Sequence, residues 1–238
     1  MKENIKVSIL MPCLNEEANL ANTILKAKTF LEVNRIKGEI IVADNGSLDS
    51  SIEIAKASGA IVVSVFKKGY GSALIEGSKI ARGKYIIMGD SDDTYDFLNL
   101  KKFVDKIEEG YDLVVGNRFK GGIEKGSMPF INRYIGNPVL SFMARILFKS
   151  PIRDYHCGLR IYNKDKMKRL NLSCLGMEYA SEMIVKATIN NYQLAEIPTT
   201  LSRSSKKRKP HLRPIKDGFR HLIFLIKTYF NKDKYIVK

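Results

Sequence analysis

The densest cluster of chemistry-bearing side chains in the sequence is Asp90-Ser91-Asp92-Asp93-Thr94. In an extended turn, residues i and i+2 point the same way. Asp90 and Asp92 can therefore reach one hard divalent cation, which in turn holds phosphate oxygens. Mg²⁺ and Mn²⁺ suit such a site, because they keep several waters and take further ligands from phosphates. Two other segments carry a similar mix of acids and amides: Pro12-Cys13-Leu14-Asn15-Glu16 and Asp44-Asn45-Gly46-Ser47-Leu48-Asp49. Asn15 and Asp49 are equally the residue types that cap helices. Acids crowded onto one edge repel unless a cation or a sugar hydroxyl lies between them.

Each of these segments follows a short apolar run, and helical patterns separate the runs. Strands are expected at Val7–Met11, Glu39–Ala43, Ile61–Val65, Tyr85–Met88 and Leu113–Val115. Helices are expected at Glu16–Leu31, Asp49–Ser58, Ser72–Ala81 and Leu98–Glu109. The strands are β-branched and apolar on both faces, as in a parallel sheet covered by helices on each side. Such βα repetition predicts a doubly wound α/β domain, whose ligands bind beyond the carboxyl ends of the strands. Further on, Gly121–Pro129 reads as a glycine-rich loop, Tyr134–Phe148 and Glu178–Asn190 as helices, and Ile197–Leu201 as an edge strand. A basic loop, Arg203 to Pro210, precedes a last helix over Ile215–Phe230.

The chain has 238 residues, 45% of them hydrophobic, which suits one domain with a sizeable core and excludes disorder as the main state. Three cysteines, with no CxxC pair and only three histidines, exclude a disulfide scaffold and a zinc cluster, and a reducing compartment is expected. No apolar run approaches the roughly 18–20 residues of a membrane span, and the N-terminus makes a poor signal peptide. A cytoplasmic protein that does not span the membrane is expected. Net charge is +15, and the residues after Thr200 hold 12 Lys/Arg against 2 Asp/Glu. The basicity is thus local to the last stretch of the chain.

The segments at the strand ends carry a resemblance. Met11-Pro-Cys-Leu-Asn-Glu-Glu17, Val42-Ala-Asp-Asn-Gly-Ser47, Lys68-Gly-Tyr-Gly-Ser-Ala73, Ala81-Arg-Gly-Lys-Tyr85 and Gly89-Asp-Ser-Asp-Asp-Thr-Tyr-Asp-Phe97 resemble the family-two glycosyltransferases of the GT-A fold. The match is to the dolichyl-phosphate or polyprenyl-phosphate hexose synthase branch. In the second half, Gly116-Asn-Arg-Phe119, Arg133-Tyr-Ile-Gly-Asn-Pro138, Asp154-Tyr-His-Cys-Gly-Leu-Arg160, Gly176-Met-Glu-Tyr-Ala-Ser-Glu182 and Asp217-Gly-Phe-Arg-His221 are similar to the dolichol-phosphate-glucose synthetase-like group. Members of that group often continue into membrane helices, whereas this sequence stops at Lys238. The resemblance implies a single GT-A (Rossmann-like) α/β domain with a mostly parallel sheet over residues 1–205. Residues 206–238 extend it as a basic loop and an amphipathic membrane-interface helix.

The resemblance also implies roles. Pro12, Leu14 and Glu16 would line the nucleotide pocket, and Asp44 would bond the nucleobase. Asp90 and Ser91 would lie along the ribose and diphosphate. Asp92 would be the principal metal ligand beside Asp90, for Mg²⁺ or Mn²⁺. Thr94 stands where related synthases can have a metal-assisting glutamine. Arg118 would reach sugar or phosphate. Gly69 and Gly71 either let a loop approach the nucleotide or form a plain turn before a helix. The implied reaction is inverting transfer of a hexose, glucose from UDP-glucose being the expected donor, to a polyprenyl phosphate at the cytoplasmic membrane face. Transfer to a glycan or lipid hydroxyl, and nucleotide-sugar binding without turnover, are the alternatives.

Charge develops on the leaving diphosphate, and a cation near it would stabilise the transition state. Arg203, at the head of the basic loop, is the candidate, although a solvated charge in a run is the commoner fate. A hydroxyl acceptor needs a base, for which Asp154 is the candidate; it could instead orient the acceptor or cap a turn. His156 could do similar work, and Arg160 could bind acceptor phosphate or pair with Asp154. Glu178, Glu182 and Lys186 share one helix face, where an i,i+4 ion pair is the plainer role for Glu182.

The tail could neutralise nucleic acid or anionic lipid. Ile215, Phe219, Leu222, Ile226 and Tyr229 form one helical stripe with cations to one side, and only Phe224 falls well outside the apolar arc. That pattern predicts an interfacial helix on an anionic membrane surface, or a helix packed on the core. With no recognition motif and no Trp, nucleic acid is not an expected partner. A membrane protein remains an open partner.

Overall fold

A computed structural model of the chain describes residues 5–204 and 214–237. The apolar runs form the expected strands: β1 (Val7–Cys13), β2 (Gly38–Asp44), β3 (Ile61–Ser64), β4 (Tyr85–Met88) and β5 (Leu113–Asn117). Between them lie α1 (Leu20–Val33), α2 (Ser51–Ala57), α3 (Tyr70–Ile80) and α4 (Lys101–Glu108). After β5 come a short α5 (Arg118–Gly121) and a π-helical turn (Asn132–Gly136) that runs straight into α6 (Asn137–Phe148). Pro138 sits in the first turn of α6, where a missing N–H costs nothing, so the expected interruption there is a helix start. The chain continues through β6 (Arg160–Asn163), α7 (Lys164–Arg169), α8 (Tyr179–Ile189), β7 (Leu194–Pro198) and α9 (Pro214–Phe230).

The strands form one sheet in the order β3-β2-β1-β4-β6-β5-β7. Only β6 is antiparallel to its neighbours, β4 and β5. The apolar residues of β1, β2, β4 and β5 are buried on both faces, as expected for strands covered by helices. The edge strand is real but begins three residues earlier than its apolar tail suggests; Leu201 makes a separate bridge to Ile123. Neither β6 nor α7 was expected.

Strand order reverses at β1, which has β2 on one side and β4 on the other. A crevice opens at such a switch point, beyond the carboxyl ends of the strands. Since β6 runs the other way, the segment leading into it, Asp154–Leu159, arrives at the same edge, where Arg160 pairs with both Met88 and Val115.

α9 packs on α6 and α8 through His221, Leu225 and Thr228, all buried. The predicted stripe faces outward instead: Phe219 is 60% exposed and Ile226 43%. The orientation is set by polar contacts to α8, in which Arg220 pairs with Glu178 at 2.7 Å and His221 Nδ1 meets Ser181 Oγ at 2.8 Å. Phe224, read as the outlier, packs partly against the core. The Ile215 side chain and the basic run Lys206, Lys207, Arg208 and Lys209 lie outside the described residues. Among the described residues, no helix is long and apolar enough to cross a membrane.

Candidate active site

The acidic turn after β4 is tied down on both sides. The Ser91 hydroxyl donates to the Pro12 carbonyl at 2.8 Å, joining the β4 and β1 loops, and Thr23 donates to the Ser91 carbonyl. Asp93 takes the left-handed conformation (φ 62°) and turns its carboxylate to α1, accepting from Asn22 and Lys26 at 2.7 Å each. That twist leaves Asp90 and Asp92 for other work. Asp92 Oδ1 accepts from the Thr94 N–H at 3.1 Å and from its hydroxyl at 2.6 Å. Asp90 is half-buried; its Oδ1 accepts from the Tyr70 hydroxyl at 3.0 Å, and its Oδ2 lies so close to Gly158 that a Cβ there would approach to 2.5 Å.

This donor set fits a hard cation. Both groups are carboxylates, and among the described residues no third His, Cys, Asp or Glu joins a metal-holding cluster. A small divalent ion held here would need to complete its shell with water and phosphate oxygens, as Mg²⁺ and Mn²⁺ do. Thr94, in the position of the related glutamine, instead fixes the rotamer of Asp92.

The residues expected on the nucleotide side, Pro12, Leu14, Glu16 and Asp44, lie along the adjoining edge of β1 and β2, where Cys13 lies opposite Asp44. Pro12 and Leu14 are partly exposed there. Glu16 is buried, its backbone N–H donates to Ser51 Oγ, and its carbonyl starts α1 by accepting from Asn19 and Leu20. Asp44 is buried and folds back on its own turn, accepting from the N–H groups of Gly46 and Ser47 at 2.9 and 3.2 Å. Asn45 clamps the next loop, bonding Val65, Lys67 and Gly69. Asp49 stands one residue before the N-cap position of α2, which is Ser50; its Oδ1 takes both the N–H and the hydroxyl of Ser51, and its Oδ2 accepts from Glu17 N–H in the neighbouring loop. Asn15 also joins two loops, giving its N–H to Ser47 Oγ and accepting from Leu48 N–H.

Asp154 is fully buried and belongs to Arg118. Oδ2 accepts from Arg118 Nε at 2.8 Å and its backbone N–H at 3.0 Å, while Oδ1 accepts from Nη2 at 2.8 Å and from His156 N–H at 3.3 Å. Burial alone would raise this carboxyl, but the guanidinium and the N–H donors hold it below the usual aspartate range. A carboxylate so enclosed anchors an arginine and is badly placed to take an acceptor proton. Arg160 does not pair with Asp154 and is fully buried, donating to the carbonyls of Tyr155, Cys157 and Ala180, so it braces the loop rather than binding acceptor phosphate. Tyr95 completes the brace by accepting from Gly158 N–H at 2.8 Å. Burial, and then His221, Arg118 and Arg160, push the His156 imidazole well below its usual range, so it is neutral at pH 7. It packs edge-on against His221, with ring centroids 4.6 Å apart.

Arg203 is partly held: its N–H bonds Glu124 and its Nε bonds the Lys125 carbonyl, against the glycine-rich loop. Its neighbours do reach the acidic turn. Ser202 N–H donates to the Thr94 carbonyl, and Ser204 Oγ to the Asp92 carbonyl at 2.8 Å. Gly69 and Gly71 serve a different approach from the expected one. An added Cβ would come within 2.0 Å of the Leu175 carbonyl and 2.1 Å of the Cys174 carbonyl, so the glycines seat the 174–176 segment against α3. The plainer reading of Glu182 holds: it pairs with Lys186 at 2.8 Å and accepts from Ser173 and Cys174. Tyr70 and Tyr95, which reach Asp90 and Gly158, carried no signal of their own beyond lying inside the quoted motifs.

The family model described as "Glycosyl transferase family 2" matches residues 8–170. The low-salt glycan biosynthesis hexosyltransferase Agl6 of Haloferax volcanii is 38% identical over 221 residues, covering 92% of this chain. The chain spans 53% of that relative's length. The dolichyl-phosphate hexose transferase of the same organism is 30% identical over 196 residues, 81% of each chain. Among solved structures, glucosyl-3-phosphoglycerate synthase from Mycobacterium tuberculosis in complex with UDP superposes with a TM-score of 0.72 at 19% identity, over 94% of this chain and 80% of that one. A complex of that synthase with Mn²⁺, UDP and phosphoglyceric acid gives 0.71 at 20% identity, over 94% and 78%. The likeness establishes the GT-A fold, and the matched sequence, which takes in all three loops of the acidic edge, establishes the family: the chain belongs to glycosyltransferase family 2.

Proposed function

We propose that this enzyme transfers a hexose, glucose from UDP-glucose being the favoured donor, to a polyprenyl phosphate at the cytoplasmic face of a membrane, with inversion at the anomeric carbon. The observation that carries the proposal is the Asp90-Ser91-Asp92 turn at the switch point of the sheet, with Asp92 oriented by Thr94 and Asp90 by Tyr70. A Mg²⁺ or Mn²⁺ ion held by Asp90 and Asp92 would supply positive charge to the leaving diphosphate. Pro12, Leu14, Glu16 and Asp44 border the nucleotide, and Ser91 lies toward the ribose and diphosphate. Arg118, held in place by Asp154, offers charge toward sugar or phosphate, and Arg203 stands beside the acidic turn as a second cation.

The enclosure of Asp154 favours a phosphate acceptor over a hydroxyl. A hydroxyl must lose its proton to a base, whereas a lipid phosphate is already anionic near neutral pH. The name of the dolichyl-phosphate hexose transferase supports the same acceptor class, and the Mycobacterium tuberculosis synthase crystallised with Mn²⁺ and UDP-glucose supports the donor class. The test is to incubate the protein with a panel of nucleotide sugars, Mn²⁺ or Mg²⁺, and either polyprenyl phosphate or hydroxyl acceptors, and to identify products by mass. A hexosyl phosphoprenol is expected. Transfer confined to hydroxyl acceptors, or donor binding with no product, would overturn the proposal.

A further inference from the structure

α6 buries Ala144 and Phe148 but presents Val139, Phe142 and Ile146 to the outside, each at least 50% exposed. Against this outer face, and against α5, lies a cavity of about 570 Å³. Its apolar wall is formed by Phe119, Val139 and Phe142, and its polar side by Lys120, Arg145 and Arg153. Apolar surface of this kind on a globular protein marks a contact with lipid or protein. The charges identify which. Lys120 is partly balanced by Glu196, 3.9 Å away, and the Glu196 carboxylate is otherwise spent on Asn117 and the N–H groups of Arg153 and Asp154. Arg145 and Arg153 are not balanced: among the described residues neither forms a salt bridge, and Arg145 Nε is buried with no hydrogen-bond partner. A buried guanidinium N–H left unpaired is costly unless an anion or water meets it.

An apolar slot with two uncompensated guanidinium groups at its rim matches an amphiphile with an anionic head. We propose that this cavity is a lipid site, which takes one acyl chain of an anionic membrane phospholipid between Phe119, Val139 and Phe142 and binds its phosphate at Arg145 and Arg153. Guanidinium grips phosphate bidentately, and two such cations with no carboxylate opposite favour a lipid of net negative charge over a zwitterionic one, whose choline cation would face them. The site is separate from the acidic turn and does not rest on the identity of donor or acceptor. It adjoins the active site through α5, whose Arg118 faces Asp154 while Phe119 and Lys120 face the cavity. A lipid seated here would fix how the carboxyl edge of the sheet meets the bilayer.

The sequence contains no Trp, so Phe142→Trp places the molecule's only indole in the cavity wall. The full chain carrying F142W is mixed with vesicles of phosphatidylglycerol brominated on the acyl chain, and with matched brominated phosphatidylcholine vesicles. Bromine on the phosphatidylglycerol chains should quench the indole strongly, and phosphatidylcholine should quench it weakly. Adding R145Q and R153Q should raise the phosphatidylglycerol concentration needed for half-quenching by about fivefold for each charge removed. R153Q alone, an exposed change that leaves the fold alone, should give the single step. Neutralising Lys206, Lys207, Arg208 and Lys209 should weaken vesicle binding without abolishing quenching once the protein is bound. Vesicle binding without quenching would put the lipid contact on another surface and overturn the proposal. Equal quenching by zwitterionic lipid, or no effect of R145Q and R153Q, would overturn the headgroup assignment; binding of inorganic phosphate that needs both arginines, together with equal quenching by the two lipids, would mean that the arginines take a free anion.

Discussion

Replacing Asp154 by Asn separates an anchor from a base. The carboxylate is fully buried and receives four N–H donors, three of them from Arg118. The amide keeps one acceptor oxygen but presents its NH₂ where the guanidinium donates, and it removes the compensating charge. Breaking one side of a buried ion pair costs about 3–5 kcal/mol. That is a large share of the roughly 5–15 kcal/mol that holds a typical domain folded. Urea unfolding at pH 7, extrapolated to water, should therefore show D154N less stable than the parent by about 3–5 kcal/mol. The pH dependence gives a second reading. Because the folded carboxyl lies below its unfolded value of about 3.9, its contribution is fully present above pH 4–5 and is lost as pH falls through the lowered folded value. The gap between parent and D154N should narrow on that acid limb and stay flat from pH 5 to 8. In transfer assays, D154N should lose similar factors with phosphate and hydroxyl acceptors, since it acts through Arg118. A variant as stable as the parent at pH 7 that fails only with hydroxyl acceptors would refute this reasoning and restore Asp154 as a base.

Other changes have expected outcomes. Gly71→Ala puts a methyl 2.1 Å from the Cys174 carbonyl and 2.7 Å from Tyr179 Cβ, and should lower stability by about 1–3 kcal/mol, read as a drop in the urea midpoint. Thr94→Val keeps the side-chain shape but removes the hydroxyl that fixes Asp92, and should weaken Mn²⁺ binding in the presence of UDP about 10–100-fold by calorimetry. Substituting Ser for Lys206, Lys207, Arg208 and Lys209 while keeping Arg203 should reduce co-sedimentation with anionic vesicles, most clearly at low salt, because exposed charges are screened over about 8–10 Å at physiological ionic strength. A variant that sediments like the parent would remove the loop as an anchor.

The first five strands were legible because each is a short apolar run; β1, β2, β4 and β5 bury theirs on both faces, while β3, at the edge of the sheet, stays partly exposed. β6 was not, since Arg-Ile-Tyr-Asn opens on a charge; Arg160 is buried because the carbonyls of Tyr155, Cys157 and Ala180 satisfy it, and two of those lie within its own loop. α7 is almost wholly charged, so no apolar period marks it. Within the site, the acidic turn after β4 was readable from its spacing, but the partners of its residues were not. Arg118 and Asp154 were each singled out, for different tasks, and only the fold brings them together across 36 residues. The glycines at 69 and 71 required a close approach, and the segment approaching them lies about a hundred positions further along the chain. The amphipathic pattern of α9 left two faces open, and contacts to Glu178 and Ser181 chose between them.

The most direct test of the central proposal is Mn²⁺-dependent binding of UDP to purified Asp92→Asn and parent protein, measured beside transfer rate and urea midpoint. The amide keeps an oxygen for the Thr94 donors, so the fold and the turn should persist. The charge that would hold the cation is gone, and several kcal/mol of stabilisation for the leaving diphosphate with it, so transfer should fall by about 100-fold or more. The prediction is an unchanged urea midpoint, loss of the Mn²⁺-dependent part of UDP binding, and little remaining transfer. Near-parent transfer together with Mn²⁺-dependent UDP binding in D92N would contradict it.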